Sequence, residues 1–427
     1  MAIALSSLRP GAAKLYGQYE SGTATSNGAA GGTTVIDTNL ARFDDDTFIG
    51  RWLRIGSGTY SDQERYISDF VSSTGTLTVI SAYGGQILSG VTYEILPWPS
   101  ADIADALNYA TQTTYPTLYK SVVDDSIIIN NWLKNASFET YSATFTNWTL
   151  SGAAGTAVQD STTVPVKHGS YTAKITRAGT DTILTQGISE VKALEAAKDR
   201  TVVFKCWVFA SSASQACIAI YDGTTRTKSD YHEGQSRWEL LDVTASIAES
   251  ATDFRVELRV ETTNGSVYFD DARIYGLPDL YTYTLPSDFS RKPAEMYCET
   301  YTAQRSQDYS YPYFFVPGNY WDLEEVGETR TIRFKALPNT SNHRIRLIGQ
   351  EVLSSVSAEI DTMEVATEQA QAILYPAAIV YLLQREKMRA GAKDSSTYDA
   401  ELGFWIAQLN NGKKTHGMPS KGRTLAI

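Results

Sequence analysis

Four histidines, His168, His232, His343 and His416, stand far apart and share no metal-type spacing with one another or with Cys206, Cys217 and Cys298. No zinc site is therefore encoded, and each histidine is expected at the surface or in a turn. Asn411-Gly412-Lys413-Lys414-Thr415 offers glycine and lysine in the manner of a phosphate loop. Ala407 stands where the first glycine is needed, however, and the context is a helix end rather than a strand-to-helix turn. Neither a Gly-x-Ser-x-Gly elbow nor a histidine-bearing metalloprotease helix occurs. The carboxylate clusters Asp44-Asp45-Asp46 and Asp124-Asp125 read as solvated turns rather than as the acid and base of a glycosidase. The expectation is a protein that is not an enzyme.

The bulk properties narrow the partners. At about 150 residues per domain, 427 residues make roughly three domains. Lys plus Arg at 37 against Asp plus Glu at 48 leaves a net charge of −11, which argues against gripping nucleic acid through its phosphates. Three cysteines frame no disulfide scaffold, so nothing points to an oxidising compartment. The opening MAIALSSLRPGAAKLYG lacks a basic stretch before its short apolar run, and no run approaches 18 apolar residues, so neither export nor membrane insertion is expected. With 26 Tyr, 8 Trp and only 20% charged residues, the composition predicts mostly β structure.

The elements fall in blocks. Residues 1–97 form an N-terminal arm and a small β-barrel or sandwich, through runs such as Arg51 to Ile55, Arg65 to Phe70, Thr76 to Ile80 and Thr92 to Leu96. Pro97-Trp98-Pro99-Ser100 stops a strand and offers Ser100 as an N-cap to a helix with Ile103, Ala106, Leu107, Ala110 and Leu118 on one face. Pro116 ends or kinks it. Two more helices are expected near the C-terminus. One follows Thr367 through Ile373, Leu374, Ala377, Ala378, Tyr381 and Leu382; the other starts at a Ser396/Asp399 capping box and closes at Gly412. No single stripe can bury itself, so residues 98–134 and 353–412 are predicted to build a three-helix core. Residues 135–277 are then a second all-β domain, inserted between the helices. Residues 278–352 add a β segment to the helical core, with an ordered Tyr/Pro-rich loop from Tyr309 to Tyr320. The fold class is thus mainly β with a helical frame, α+β.

Residues 135–277 resemble the jelly-roll carbohydrate-binding modules. The resemblance is carried by Asn135-Ala136-Ser137-Phe138-Glu139, Trp148, His168-Gly169-Ser170-Tyr171-Thr172-Ala173-Lys174-Ile175, Leu184-Thr185-Gln186, Phe204 to Phe209, Trp238 and Tyr268-Phe269-Asp270-Asp271. It implies a structural calcium held by Glu139 and by Asp270 or Asp271, since adjacent carboxylates need a cation or a proton to coexist. It also implies glycan binding by aromatic stacking, for which Trp207, Tyr221, Tyr231 and Trp238 are the candidates.

The surrounding frame resembles a head-to-tail adaptor of a tailed bacteriophage, the connector beneath the portal. This rests on Asp102-Ile103-Ala104-Asp105-Ala106-Leu107-Asn108-Tyr109 through Tyr115-Pro116-Thr117-Leu118-Tyr119, on Tyr283-Thr284-Leu285-Pro286, and on the helices from Thr367 to Asn411. The resemblance implies a virion structural protein of the neck, assembled in the host cytoplasm. It would form a homo-oligomeric ring of roughly twelve copies that contacts the portal protein and the tail or nozzle proteins. DNA would pass through the ring unbound, which an acidic wall permits. A C-terminal tail, residues 413–427, would dock on the portal through Lys413, Lys414, Lys421 and Arg423. The alternative is a tail-fibre or baseplate protein that binds host surface polysaccharide through the jelly roll.

Overall fold

The computed structural model describes residues 2–418 except 153, 189–192, 290, 300–312, 327–328, 338–342 and 395–396. Two units emerge: Met1–Ser121 with Gln350–Ile427, and Val122–Gly349.

The first unit owes its β part to short β-branched runs punctuated by turns. Glu20–Thr23, Thr92–Leu96, Trp52–Ile55, Glu64–Val71, Thr76–Val79 and Thr34–Ile36 pair in that order into an antiparallel sheet. A bridge between Ser26 and Ile36 draws its two edges together. Val35, Leu53, Ile55, Ile67, Leu77, Tyr93 and Ile95 fill the inside, and in Thr34–Ile36 and Thr76–Val79 the buried positions alternate with less buried ones as the pleat requires.

Its long helices are α1 (Leu5–Tyr16), α2 (Ser100–Thr114), α3 (Tyr375–Asp394) and α4 (Thr397–His416), and a helical turn, Thr367–Gln369, and a π-helical turn, Ala370–Leu374, lead into α3. Ile103, Ala106, Leu107, Ala110 and Leu118 share one core with Ile373, Leu374, Ala378, Leu382, Leu402 and Trp405. The three-helix expectation is corrected, because α1 joins this core through Leu5, Leu8, Ala12 and Ala13. Pro10 and Gly11 disguise it in the sequence. Gly11 is there because a Cβ would meet the Tyr375 hydroxyl at 2.5 Å. Two expected boundaries also move. Ser100 is the first helical residue of α2 rather than its cap, and its N–H is instead taken by the Glu64 carboxylate at 2.9 Å. The helix α4 does not stop at Gly412 but runs on to His416. Gly412 marks a close approach: a Cβ there would lie 1.8 Å from the Ala372 carbonyl oxygen. The capping-box residue Ser396 lies outside the described residues.

The second unit holds an antiparallel jelly-roll sandwich. One sheet orders Thr149–Ser151, Thr182–Gly187, Arg255–Val260, Ala216–Tyr221 and Arg226–Lys228; the other orders Thr156–Asp160, Thr172–Arg177, Gly265–Tyr275, Thr201–Ala210 and Arg237–Ser246. In Thr201–Ala210 every second residue, Val202, Phe204, Cys206, Val208 and Ala210, enters the core between the sheets.

Residues 278–349 do not join the helices as expected. They build a further core within the sandwich's own unit, where Ile127 and Ile129 pack with Leu285, Met296, Trp321, Ile332, Ile345 and Leu347. Residues 122–134 move with them: Asn131 donates to Ala272 O (2.9 Å) and accepts from the Ile274 N–H (3.1 Å), fastening this stretch to the sandwich's last strand. The Tyr/Pro-rich stretch, expected as a loop, contributes an edge strand, Tyr313–Phe315, against Glu295–Glu299. Its residues up to 312 lie outside the described residues.

Candidate functional site

Strand parity sorts the four candidate aromatics. In Thr201–Ala210, Trp207 and Phe209 alternate with the core residues and face away from the other sheet. Trp238 and Tyr268 pair directly with Phe209 from either side. Phe209 meets them edge-on, its centroid 5.8 Å from Trp238 and 6.0 Å from Tyr268. Four rings therefore form a row across three adjacent strands. Two lysines flank it: Lys167 Nζ sits 3.8 Å over Trp207, and Lys174 Nζ 5.8 Å from the Tyr268 centroid. Trp238 Nε1 donates to Pro165 O at 2.8 Å, so the loop after Val164 is tied to the row's edge.

Tyr221 lies on the opposite sheet and Tyr231 in the loop that follows Arg226–Lys228, both beside a ladder of alternating charge that the segment Arg255-Val256-Glu257-Leu258-Arg259-Val260-Glu261 projects from one strand face. Arg226 grips Glu257 with two bonds (2.7 and 3.1 Å), Arg259 bridges Glu257 and Glu261 (2.5 Å each), and Lys228 holds both oxygens of Glu261 (2.9 and 2.8 Å). Tyr231 donates its hydroxyl to Glu261 at 2.5 Å. Burial pushes the Glu261 carboxyl up, but Lys228, Tyr231 and Arg259 outweigh it and hold it down at about 2. The same bond raises the Tyr231 phenol well above its usual range. The Tyr221 ring is already flanked by Arg226 (4.9 Å) and Arg255 (4.3 Å). The four candidates thus do not form one site. The ladder was legible as a strict charge/apolar alternation, a signal the strand assignment alone leaves unused.

The three carboxylates expected to hold calcium lie where one end of the sandwich meets the loop 167–171. Glu139 Oε1 accepts the N–H groups of Ser170 and Tyr171 (3.0 and 3.1 Å), and Asp270 Oδ2 those of Lys167 and His168 (3.0 and 2.8 Å). Asp271 is clasped by the guanidiniums of Arg273 and Arg344. This donor set does not fit the metal, which needs six to eight oxygens with free lone pairs, not a ring of N–H groups. No group of three or more His, Cys, Asp or Glu suited to a metal ion occurs among the described residues.

Two further expectations change. Asp124 and Asp125 are not a turn: they lie on the strand Lys120–Ile128 and line a cavity of about 540 Å³ with Glu139, His168 and Asp288. Burial, then Asp125 and Asp288, raise the Asp124 carboxyl. His232 is buried rather than superficial, its Nδ1 accepting from the Gly234 N–H at 2.8 Å. Burial and then Arg344 lower His168 to about 3, so it is neutral at pH 7. Of the proposed docking tail, Lys413 and Lys414 sit in the last turn of α4, while Lys421 and Arg423 lie outside the described residues.

In the first unit an unanticipated ionic cluster fastens α1. Arg9 donates to Glu94 (2.9 and 3.2 Å) and Glu359 (2.6 Å), and Arg54 reaches Glu359 (3.0 Å), Glu94 (3.5 Å) and Asp62. No described helix is long and apolar enough to cross a membrane.

No protein-family model and no curated protein matches the chain. Among solved structures, the chain is similar to the enzymatically active domain of tailspike protein 4 of bacteriophage CBA120, with 14% identity and a TM-score of 0.28 over 35% of this chain and 21% of that one. The likeness thus spans about a fifth of the length of that domain. It is also similar to a family 61 carbohydrate-binding module in complex with beta-1,4-galactotriose (18% identity, TM-score 0.28, 34% of this chain and 99% of that one). A third likeness is to the C-terminal family 22 carbohydrate-binding module of Clostridium thermocellum Xyn10B (18% identity, TM-score 0.26, 34% and 92%).

Proposed function

We propose that the protein is a non-enzymatic virion component that binds glycan through its sandwich, in the manner of a tail-fibre or baseplate protein attaching to host surface polysaccharide. The observation that carries this is the row Trp207, Phe209 and Trp238, half-buried on the face turned away from the core, backed by Tyr268, which is only 6% exposed and packs edge-on against Phe209. Sugar rings present apolar C–H faces that stack on such rings, while hydroxyls reach flanking donors such as Lys174. Trp238 is the anchor, because Lys167 already occupies a face of Trp207 and two guanidiniums occupy Tyr221. The test is a glycan array followed by calorimetry. Trp238→Ala is expected to weaken binding roughly 30-fold, the effect of losing an aromatic anchor worth about 2 kcal/mol. Tyr221→Ala should bind as wild type. Unchanged binding by Trp238→Ala, or no glycan bound at all, would refute the reading.

The shared core of α1, α2, α3 and α4 favours a second reading. Helices from the two chain ends that close on each other make a scaffold suited to a head-to-tail adaptor ring, with portal, tail proteins and passing DNA as partners. Native mass measurement separates the two: a trimer supports the fibre, a ring of about twelve supports the adaptor.

A further inference from the structure

The loop 167–171 turns peptide N–H groups toward the carboxylates at the sandwich end. Lys167 and His168 donate to Asp270, Ser170 and Tyr171 donate to Glu139, and Asp270 Oδ1 accepts a further N–H from Asp271 at 2.7 Å. A cation site requires the opposite polarity, with oxygens converging.

Asp271, itself buried, faces positive charge on two sides. Arg273 donates Nε to its Oδ1 (2.9 Å) and lies with Nη2 2.8 Å from its Oδ2; Arg344 Nη2 donates to Oδ1 as well. The Arg344 side chain is only 1% exposed. It comes from outside the sandwich, on the strand Arg344–Glu351 that pairs with Glu295–Glu299. Its Nη1 also donates to Asp125 O (3.0 Å), and its own backbone N–H donates to Glu299 (3.0 Å).

We infer that Arg344 stands in for the divalent cation. A guanidinium delivered by the adjoining sheet supplies the positive charge at Asp271, closes the sandwich end without a metal, and staples the sandwich to that sheet. A guanidinium suits the place because its fork of donors matches a carboxylate and its charge persists at any working pH. Calcium would have to enter beside two guanidiniums and against five inward N–H groups. The sandwich is thereby tied to residues beyond 277, and its stability belongs to the whole of Val122–Gly349.

The experiment uses the full chain. Wild type is melted in EDTA and in millimolar CaCl2, and bound calcium is counted after equilibrium dialysis. The expectation is one midpoint in both buffers and substoichiometric calcium. A native site saturated a hundredfold above its Kd would raise the midpoint by roughly 5–10 °C, and that rise, or one calcium bound per chain, overturns the inference. Asp271→Asn, Arg344→Met and their double variant complete the test. Asp271→Asn leaves the buried Arg344 and Arg273 guanidiniums without their carboxylate, and Arg344→Met leaves Asp271 with Arg273 alone, so the double variant should lose less than the two singles summed. Strict additivity would overturn the pairing. If Arg344→Met fails to fold, the calcium measurements on wild type still decide.

Discussion

Replacing Arg9 by Met removes a guanidinium whose side chain is 3% exposed and which holds Glu94 and Glu359 together. The methionine keeps most of the apolar stem in place, so the loss is chiefly electrostatic. Breaking a fully buried pair costs about 3–5 kcal/mol. Here Glu94 is 16% and Glu359 36% exposed, and Arg54 remains 3.0 Å from Glu359. Water and the second arginine reduce the cost to about 2 kcal/mol. For a unit of about 150–250 residues that lowers the midpoint by about 4–8 °C. Differential scanning calorimetry of the full chain reads it, and the shift should fall on the transition of the helix-bearing unit while the sandwich transition stays put. Raising NaCl to about 0.5 M should leave most of the difference, since a buried pair is poorly screened. A shift below about 1 °C, or an equal shift in both transitions, would show that the cluster fastens nothing.

Two changes on α4 test its close approach to Ala372. Gly412→Ala drives a Cβ to 1.8 Å from the Ala372 carbonyl oxygen and should cost about 1–3 kcal/mol, whereas Gly403→Ala, with open space around it, should stabilise by up to about 1 kcal/mol. Urea midpoints of both variants check the contrast. Glu261 titrates at about 2 in the folded chain against an ordinary 4.5. The unfolded chain therefore takes up the proton first, so this contribution is whole above about pH 5 and drains away as pH falls toward 2. Glu261→Gln should flatten the acid limb of a pH series of urea midpoints, and an acid limb identical to wild type would remove the ladder from the account.

The legible parts of the sequence are those where a periodic stripe meets its own kind. Ile103, Ala106, Leu107 and Ala110 recur at helical spacing, and the only comparable stripes lie beyond Thr367, so their common core could be read from pattern alone. Helix α1 escaped because Pro10 and Gly11 are local breakers, and the reason for Gly11 is the ring of Tyr375, near the other end of the chain. Val122 to Ile129 escaped because Asp124-Asp125 interrupts the alternation, and Arg346 pairing with Asp125 at 3.2 Å is visible only once the sheet is formed. His232 looked superficial in a polar loop, yet the loop's own Gly234 N–H and the carbonyl of Arg237, which opens the next strand, satisfy its ring. In each case the deciding contact is remote or made by backbone, and neither leaves a trace in side-chain pattern.

The candidate site shows the same limit in its sharpest form. Alternation says that Trp207 and Phe209 share a face, but it cannot say which residues of another strand share it, because each strand's phase is fixed only by pairing. Pairing puts Trp238 and Tyr268 beside Phe209, and puts Tyr221 beside Arg226 and Arg255 on the far sheet. Coupling energies must follow this division. Phe209→Leu and Trp238→Leu touch one edge-on contact and should be non-additive by about 0.5–1.5 kcal/mol. Trp238→Leu and Tyr221→Leu, separated by the whole core, should add to within about 0.5 kcal/mol. Single and double variants compared by urea unfolding settle it: coupling between Trp238 and Tyr221 would mean that the two sheets do not present separate faces, and the aromatic row would then lose its standing as a distinct binding surface.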